Sequence, residues 1–298
     1  MRAICLGEAL IDFIATDQVP LVEAAHFVRC LGGAAVNVAI GLQYNGIATS
    51  LVSRVGRDKL GEQVLLELKR SGISTSFIQI DPRRPTKCSF ISHDEDGNRF
   101  IEIANRQSAD QQLDSAEMLK AFQDPFDLLY ISGVMLIQEH GYQVAMDAVE
   151  AVRQNGALVA FDPVFDISRA AEPVKRRVGD ILKYVDVLKA NDSEYEALST
   201  QLSILQHALI LHTKGARGAI IKYGHHEVEV EAIRGSIKDP TGAGDAFLSG
   251  FLGSFLKHKG KLDDVRPEQL KAWGVEATRN AMRIIQKYGG NNGYGLSE

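Results

Sequence analysis

The sequence predicts an α/β protein: one domain over residues 1–298, built on a doubly wound, mainly parallel sheet with helices on both faces, plus a small antiparallel β lid. Three observations predict it. Short apolar runs closed by glycine or a turn alternate with longer segments of helical period, the rhythm of repeated strand–helix units. Two regions break that rhythm with strict apolar/polar alternation, as half-buried antiparallel strands do. Near the C-terminal end a glycine-rich turn, "DPTGAGDAF", opens directly into the apolar helical run "AFLSGFLGSFL".

The elements follow in order. "RAICLG" is the first strand. "ALIDFIAT" and "AHFVRCLGG" alternate and form the first half of the lid, at about 10–31. "AAVNVAIGLQYNG" has apolar residues at 36, 39, 40 and 42, a helix stopped by Gly46, and "TSLVSRVG" returns to strand. "DKLGEQVLLELKRSG" is a helix with Asp58 as N-cap and Gly72 as stop. "PTKCSFISHDEDGNRFIEIAN", at about 85–105, is the second half of the lid, closed by a turn at Gly97. Further units follow at "FDLLYISG", "EHGYQVAMDAVEAVRQNG", "ALVAFDP", "VDVLKAN", "HALILHTKG" and "GAIIKYG". A small sheet inserted into a doubly wound domain covers the carboxyl edge of the main sheet, where open α/β sheets bind ligands.

Composition narrows the function classes. The 298 residues are 45% hydrophobic and 24% charged, the profile of a folded globular chain. A formal charge of −5 argues against nucleic acid as a partner, since phosphate-backbone binding needs a basic face; "VKRRVG" reads as a solvated helix face. Cys5, Cys30 and Cys88 are odd in number and lack metal-ligand spacing, which fits reduced thiols in a cytoplasmic enzyme. Glu8 and Asp12 interrupt the apolar N-terminus, and no run approaches a membrane span. The chain contains neither a G-x-x-x-x-G-K-S/T loop nor an H-R-D loop, and its eight histidines lack zinc spacing.

"DPTGAGDAF" carries the chemistry. Peptide N–H groups of Gly242, Ala243 and Gly244 at a helix N-terminus can hold a transferring phosphoryl group, and Asp245 in the first turn can accept the proton of an attacking hydroxyl. A glycine turn with an acidic helix cap would show the same residues. The stretch from 32 to 62, "GGAAVNVAIGLQYNGIATSLVSRVGRDKLGE", together with "DPTGAGDAFLSGF", resembles the two signatures of the ribokinase-like (PfkB) carbohydrate kinases, in order and at the expected ends.

That resemblance implies an ATP-dependent kinase acting on a primary hydroxyl, with Asp245 as general base and Gly242, Ala243 and Gly244 as anion hole. It implies sugar-hydroxyl contacts at Asp12, Gly32, Gly33 and Asn37, with Asn105 and Asp162 also at the acceptor site. "KANDSEYE" places Lys189, Asn191 and Glu194 at the nucleotide, Glu194 helping to hold Mg2+ through water; a helix N-cap with acidic first-turn residues is the other reading. "HTKGARGAI" places Thr213, Lys214, Gly215 and Gly218 beside the nucleotide, or in a plain tight turn. Asn280 would border the adenine, and Asp239 is a candidate for K+.

Within the family, "NRFIEIANRQSADQQLD" and "VDVLKANDSEYEALS" are fructokinase-like. The chain departs at "FDPVFDIS", where Val164 and Asp166 stand in place of Asn and Arg, and at Asn105, where several relatives carry Arg. Both expected arginines are missing, with Arg106 only an off-register substitute, which disfavours a 2-keto-3-deoxygluconate-type acid and favours a neutral sugar; the same departures weaken fructose itself and leave another ketose, aldose or polyol open. Two rivals stay open: a nucleoside kinase with Phe13 and Phe27 clamping a base, and a sugar-binding relative that lost the chemistry. A homodimer through the lid strands is the expected assembly, if any.

Overall fold

The computed structural model describes residues 1–17, 19–93, 99–258 and 265–295; the expected turn at Gly97 lies outside them. The chain opens with β1 (Arg2–Leu6), crosses into the lid as β2 (Leu10–Ala15) and β3 (Phe27–Gly32), and returns through α1 (Ala34–Tyr44), β4 (Ala48–Gly56), α2 (Lys59–Arg70) and β5 (Ile78–Asp81). It enters the lid again as β6 (Cys88–His93) and β7 (Arg99–Ile103). After a short helix α3 (Ser115–Leu119), the alternating units β8 (Leu128–Ser132), α4 (Glu139–Asn155), β9 (Leu158–Asp162), α5 (Glu172–Leu182), β10 (Val187–Asn191), α6 (Asp192–Ala197) and β11 (Leu209–Thr213) follow. A hairpin, β12 (Ala219–Tyr223) and β13 (His226–Val230), precedes the long helices α7 (Ala243–Lys257) and α8 (Pro267–Ile285).

The main sheet has nine strands in the order β13-β12-β11-β10-β9-β8-β1-β4-β5, parallel from β5 to β11 with the antiparallel hairpin at one edge. Strands β1 and β8 are neighbours whose following connections leave in opposite directions, so a crevice opens between their carboxyl ends. Helices α1, α2, α7 and α8 bury one face of the sheet; α3, α4 and α5 bury the other. Trp273 on α8 is 8% exposed and packs edge-on to Phe251 of α7 at 5.8 Å, so it is core and not site.

Local signals match their elements. Asp58 caps α2 by accepting from Gly61 N at 2.8 Å, and the same carboxylate takes Thr86 N (2.7 Å) and Thr86 Oγ1 (2.7 Å). One side chain therefore both starts a helix and anchors the root of the second lid hairpin. In the basic run of α5, Arg176 is exposed, whereas Arg177 is largely covered and donates to Leu136 O, Ile137 O and Glu139.

The lid is a four-stranded sheet, β3-β2-β6-β7, with antiparallel hairpins β2/β3 and β6/β7 joined through a parallel β2/β6 pair. Side chains alternate across it. Asp12, Cys30 and Ser89 are register partners on one face, and Asp12 accepts a hydrogen bond from Ser89 Oγ. Phe13 is therefore on the opposite face, where it stacks on Phe90 at 5.1 Å, with Phe27 edge-on to the same ring at 5.3 Å. That corrects the expectation of an aromatic base clamp: the two rings pack on each other's neighbour behind Asp12 instead of lining its pocket.

The departure at "FDPVFDIS" is visible in the backbone. Val164 has φ of 65°, the only non-glycine residue among the described ones in the left-handed region, and its N–H donates to Asp162 Oδ1 at 3.2 Å. A β-branched side chain is poorly suited there. Val164→Asn, which tolerates this conformation, is expected to raise unfolding free energy by about 1 kcal/mol; chemical denaturation showing no gain would refute strain at this position.

Candidate active site

The N-terminus of α7 meets the carboxyl edge of the sheet. Gly242 is its N-cap with φ of 78°, and a Cβ there would fall 2.3 Å from Gly290 Cα, so only glycine lets the two loops touch. Gly244 lies against Lys189, whose Nζ would be 3.0 Å from a Cβ at that position. The glycines thus bring peptide N–H groups next to a lysine ammonium, a strong anion-binding corner. One expected donor is otherwise engaged: Ala243 N–H closes a turn onto Pro240 O at 3.2 Å, leaving the corner to Gly242, Gly244 and Lys189.

Asp245 follows immediately. Its Oδ2 accepts from Asn37 Nδ2 at 2.8 Å, and Asn37 Oδ1 in turn accepts from Asn291 Nδ2 at 2.8 Å, which also donates to Leu31 O at 3.0 Å. Asn37 is 4% exposed. Its amide is therefore occupied in aiming Asp245, a different role from the sugar-hydroxyl contact expected of it. Asp245 itself keeps an opening to solvent while its carboxyl sits among packed groups. Desolvation, with repulsion from Asp162 and Glu8, outweighs Asn37 and Lys189 and raises its pKa to about 7.

Lys189, at the end of β10, ties the corner together. Its Nζ lies 3.1 Å from both carboxylate oxygens of Asp162 and 3.8 Å from Glu194 Oε2. Burial opposes its charge, yet Asp162, Glu194 and Asp245 more than offset that and raise its pKa. Asp162 is fully buried, so it serves as counter-ion to Lys189 and not as an acceptor contact. Asn191 and Glu194 form a reciprocal capping box at the start of α6: Asn191 Oδ1 accepts from Glu194 N at 3.0 Å and Glu194 Oε2 from Asn191 N at 2.8 Å. The helix-cap reading is thus realised, and it aims Glu194 at Lys189.

The lid side is equally close-packed. A Cβ on Gly32 would strike Asp12 Oδ2 at 2.0 Å, and one on Gly33, with φ of 106°, would meet Glu8 O at 2.3 Å. The Gly32-Gly33 pair exists so that two acids can approach the turn into α1. Asn105 lies at the lid root, where it donates to Thr86 O (2.6 Å) and accepts from Cys88 N (3.0 Å). It staples backbone, in place of the acceptor contact expected.

Farther along the edge, Thr213 pairs in register with Asn191, and Lys214 N donates to Gly218 O at 2.8 Å. A Cβ on Gly218 would lie 2.0 Å from Val230 O, so this glycine is required by the turn into the β12/β13 hairpin. Asn280 is 6% exposed: its Nδ2 donates to Glu276 O at 2.9 Å and its Oδ1 accepts from Asn45 at 3.3 Å, at the end of α1 remote from Asp245. It packs between α1, α7 and α8. Asp239 is 1% exposed and accepts from Thr241 N (3.0 Å) and Gly289 N (2.8 Å), joining the turn before α7 to the loop after α8.

Three site residues escaped the sequence reading. Asn291 sits in the "KYGGNNGYG" loop, whose glycines were the available signal. Glu8 showed itself only as an acid inside an apolar run. Lys87, in the root of β6, is buried against Asp110 at 3.3 Å.

Residues 2–292 match the model of the pfkB family carbohydrate kinases. The chain belongs to that family. Among its relatives, fructokinase-2 of Solanum lycopersicum is 30% identical over 274 residues, covering 88% of this chain and 84% of the relative. The fold superposes on a fructokinase from Xylella fastidiosa with bound ATP at a TM-score of 0.86, with 24% identity, 98% of this chain and 94% of the other. It also superposes on a fructokinase double mutant from Vibrio cholerae O395 bound to fructose, ADP and a potassium ion, at 0.82, with 22% identity, 100% and 98% coverage. The doubly wound sheet and separate lid are the ribokinase-like fold expected from the sequence.

Proposed function

We propose that this protein transfers the γ-phosphoryl group of ATP to a primary hydroxyl of a small neutral sugar, in the manner of a fructokinase. One observation carries this reading: Asp245, held by Asn37, stands one residue from a glycine N–H corner that also contains Lys189. A carboxylate beside an anion hole is unfavourable unless it takes a proton there. The acceptor hydroxyl gives its proton to Asp245 as its oxygen attacks the phosphorus, and the charge on the equatorial oxygens is met by Gly242 and Gly244 N–H and the Lys189 ammonium. Asp12 on the lid and the Gly32-Gly33 turn bound the acceptor side, and the Thr213 to Gly218 turn bounds the nucleotide side.

Among the described residues no three His, Cys, Asp or Glu side chains converge as a metal site. In this reading Mg2+ enters as part of the nucleotide substrate, keeping its own waters, with Glu194 nearby. The Asp239 carboxylate accepts peptide N–H groups and meets no cationic side chain among the described residues, a buried charge that K+ would balance.

The test is an ATP-consumption assay across ketoses, aldoses, polyols, sugar acids and nucleosides. Neutral sugars should give ADP release and a sugar phosphate. Turnover confined to nucleosides or sugar acids, or sugar binding without ADP release, would overturn the assignment. The pH profile is a second check. A base must be deprotonated, so kcat/KM should rise with pH and level off above about 7, following Asp245. Asp162→Asn removes a repelling charge and should move that rise to lower pH; an unmoved limb would assign it to another group.

A further inference from the structure

A cavity of about 340 Å3 opens between lid strand β7 and the segment that follows β8. Glu8, which acts electrostatically on Asp245, lines it. Its Oε1 accepts from Ala34 N at 2.7 Å, which fixes the carboxylate against the start of α1, while Oε2 has no well-formed hydrogen bond although the residue is only 4% exposed. On the lid side stands Lys87, 6% exposed and close enough to act electrostatically on Glu8. Lys87 O accepts from Ile11 N at 3.1 Å, Thr86 is pinned to Asp58, and Nζ reaches Asp110 Oδ2 at 3.3 Å. Asp110 is itself held by Ser108 Oγ at 2.5 Å. An ammonium has three donors, and among the described residues this one makes a single long bond.

A buried carboxylate oxygen that Ser132 Oγ approaches without a well-formed hydrogen bond, and a buried ammonium with donors to spare, thus face one cavity. We propose that they read one hydroxyl of the acceptor, remote from the hydroxyl that is phosphorylated: Lys87 donates to its oxygen while the hydroxyl donates to Glu8 Oε2. Lys87 is then a specificity-determining residue of the acceptor site. A hydroxyl satisfies both groups at once, whereas a carboxylate or phosphate would face the buried Glu8 and Asp110 carboxylates, with Lys87 already paired to Asp110 and the exposed Arg106 paired to Glu102. The wall also carries the apolar side chains Ile101, Ile103, Met135 and Ile137, which suit the C–H face of a sugar ring, beside polar residues that include Glu102 and Arg106. This rests on the kinase reading above and goes further by naming how the acceptor's far end is selected.

The experiment compares wild type with Lys87→Met on the best acceptor, each of its monodeoxy analogues and the matching sugar acid, with the KM for ATP recorded alongside. One deoxy analogue should lose about 10- to 100-fold in kcat/KM with wild type, the cost of a charged hydrogen bond left unmade. Lys87→Met should lose a similar factor on the parent sugar, mainly through KM, and lose nothing further on that analogue. The KM for ATP should stay within about twofold, which a general structural defect would not permit. If the single variant is too unstable to assay, Lys87→Met/Asp110→Asn, which leaves no unpaired charge at Asp110, is read in the same way. Equal proportional losses on every analogue, or wild-type preference for the sugar acid, overturns the inference alone. Absence of turnover with every acceptor overturns the kinase reading and takes this inference with it.

Discussion

Asp245→Asn is expected to lower kcat by about 100- to 10,000-fold, the range a positioned general base supplies, while sugar and ATP affinities change little. The substitution is nearly isosteric, and the side-chain oxygen of Asn can still accept from Asn37 Nδ2. What disappears is the capacity to take a proton. Stability separates this outcome from a folding defect. The folded-state pKa of Asp245 lies near 7, well above an ordinary aspartate, because desolvation, Asp162 and Glu8 disfavour its ionised form. For a carboxyl raised in this way, the folded state is favoured by protonation at low pH and loses that advantage as pH rises through the folded pKa. At pH 8 the wild type therefore folds around an ionised group in an unfavourable place, and the Asn variant does not. Its melting temperature at pH 8 should equal or exceed that of wild type, with the difference shrinking toward pH 5. Near-normal turnover in steady-state assays would remove Asp245 from the mechanism, and a clear loss of stability at pH 8 would refute the electrostatic account of the corner.

The parts of this molecule that were legible in its sequence are those governed by short-range rules. The 3.6 and 2.0 periods located the helices, the parallel strands and both lid hairpins, and Asp58 and Gly72 bounded α2 as written. "GAGD" announced its own geometry because a left-handed N-cap at Gly242 leaves no alternative to glycine. Partners brought together by the fold were not legible. Asn37 and Asn291 are 254 positions apart, and nothing in either neighbourhood says that one aims the other at Asp245. Lys189 and Asp162 are ordinary residues at strand ends until β9 and β10 lie side by side. Phe13 shows the reverse error: its type suggested a clamp, but its place next to Asp12 on a strand already required it to face away. The packing of Asn280 against Gly250 was equally hidden, because the two lie on different helices.

Lys189→Met should be the most destabilising single change at this site, and its pH dependence identifies why. The ammonium is 3.1 Å from both oxygens of Asp162 and 3.8 Å from Glu194, and those carboxylates are 0% and 2% exposed. Methionine fills a similar volume, so cavity formation contributes little, whereas two buried acids lose their counter-ion. Breaking a buried pair by removing one partner costs about 3–5 kcal/mol. Desolvation already raises the pKa values of Asp162 and Glu194 against the pull of Lys189; without Lys189 they rise further. Groups whose folded pKa values stand above their unfolded ones favour folding at low pH and lose that contribution as pH climbs through the folded values. The deficit relative to wild type should therefore be largest at pH 8 and shrink at pH 5, where the acids can fold protonated. Urea denaturation at the two pH values measures this directly, and an equal deficit at both would mean that shape, not charge, makes Lys189 indispensable. Activity should vanish at either pH, because the anion corner beside Gly244 has lost its cation. A variant that regained full stability at pH 5 and still turned over far more slowly than wild type assayed at that same pH would show that the lysine which neutralises Asp162 and Glu194 also holds the migrating phosphoryl group.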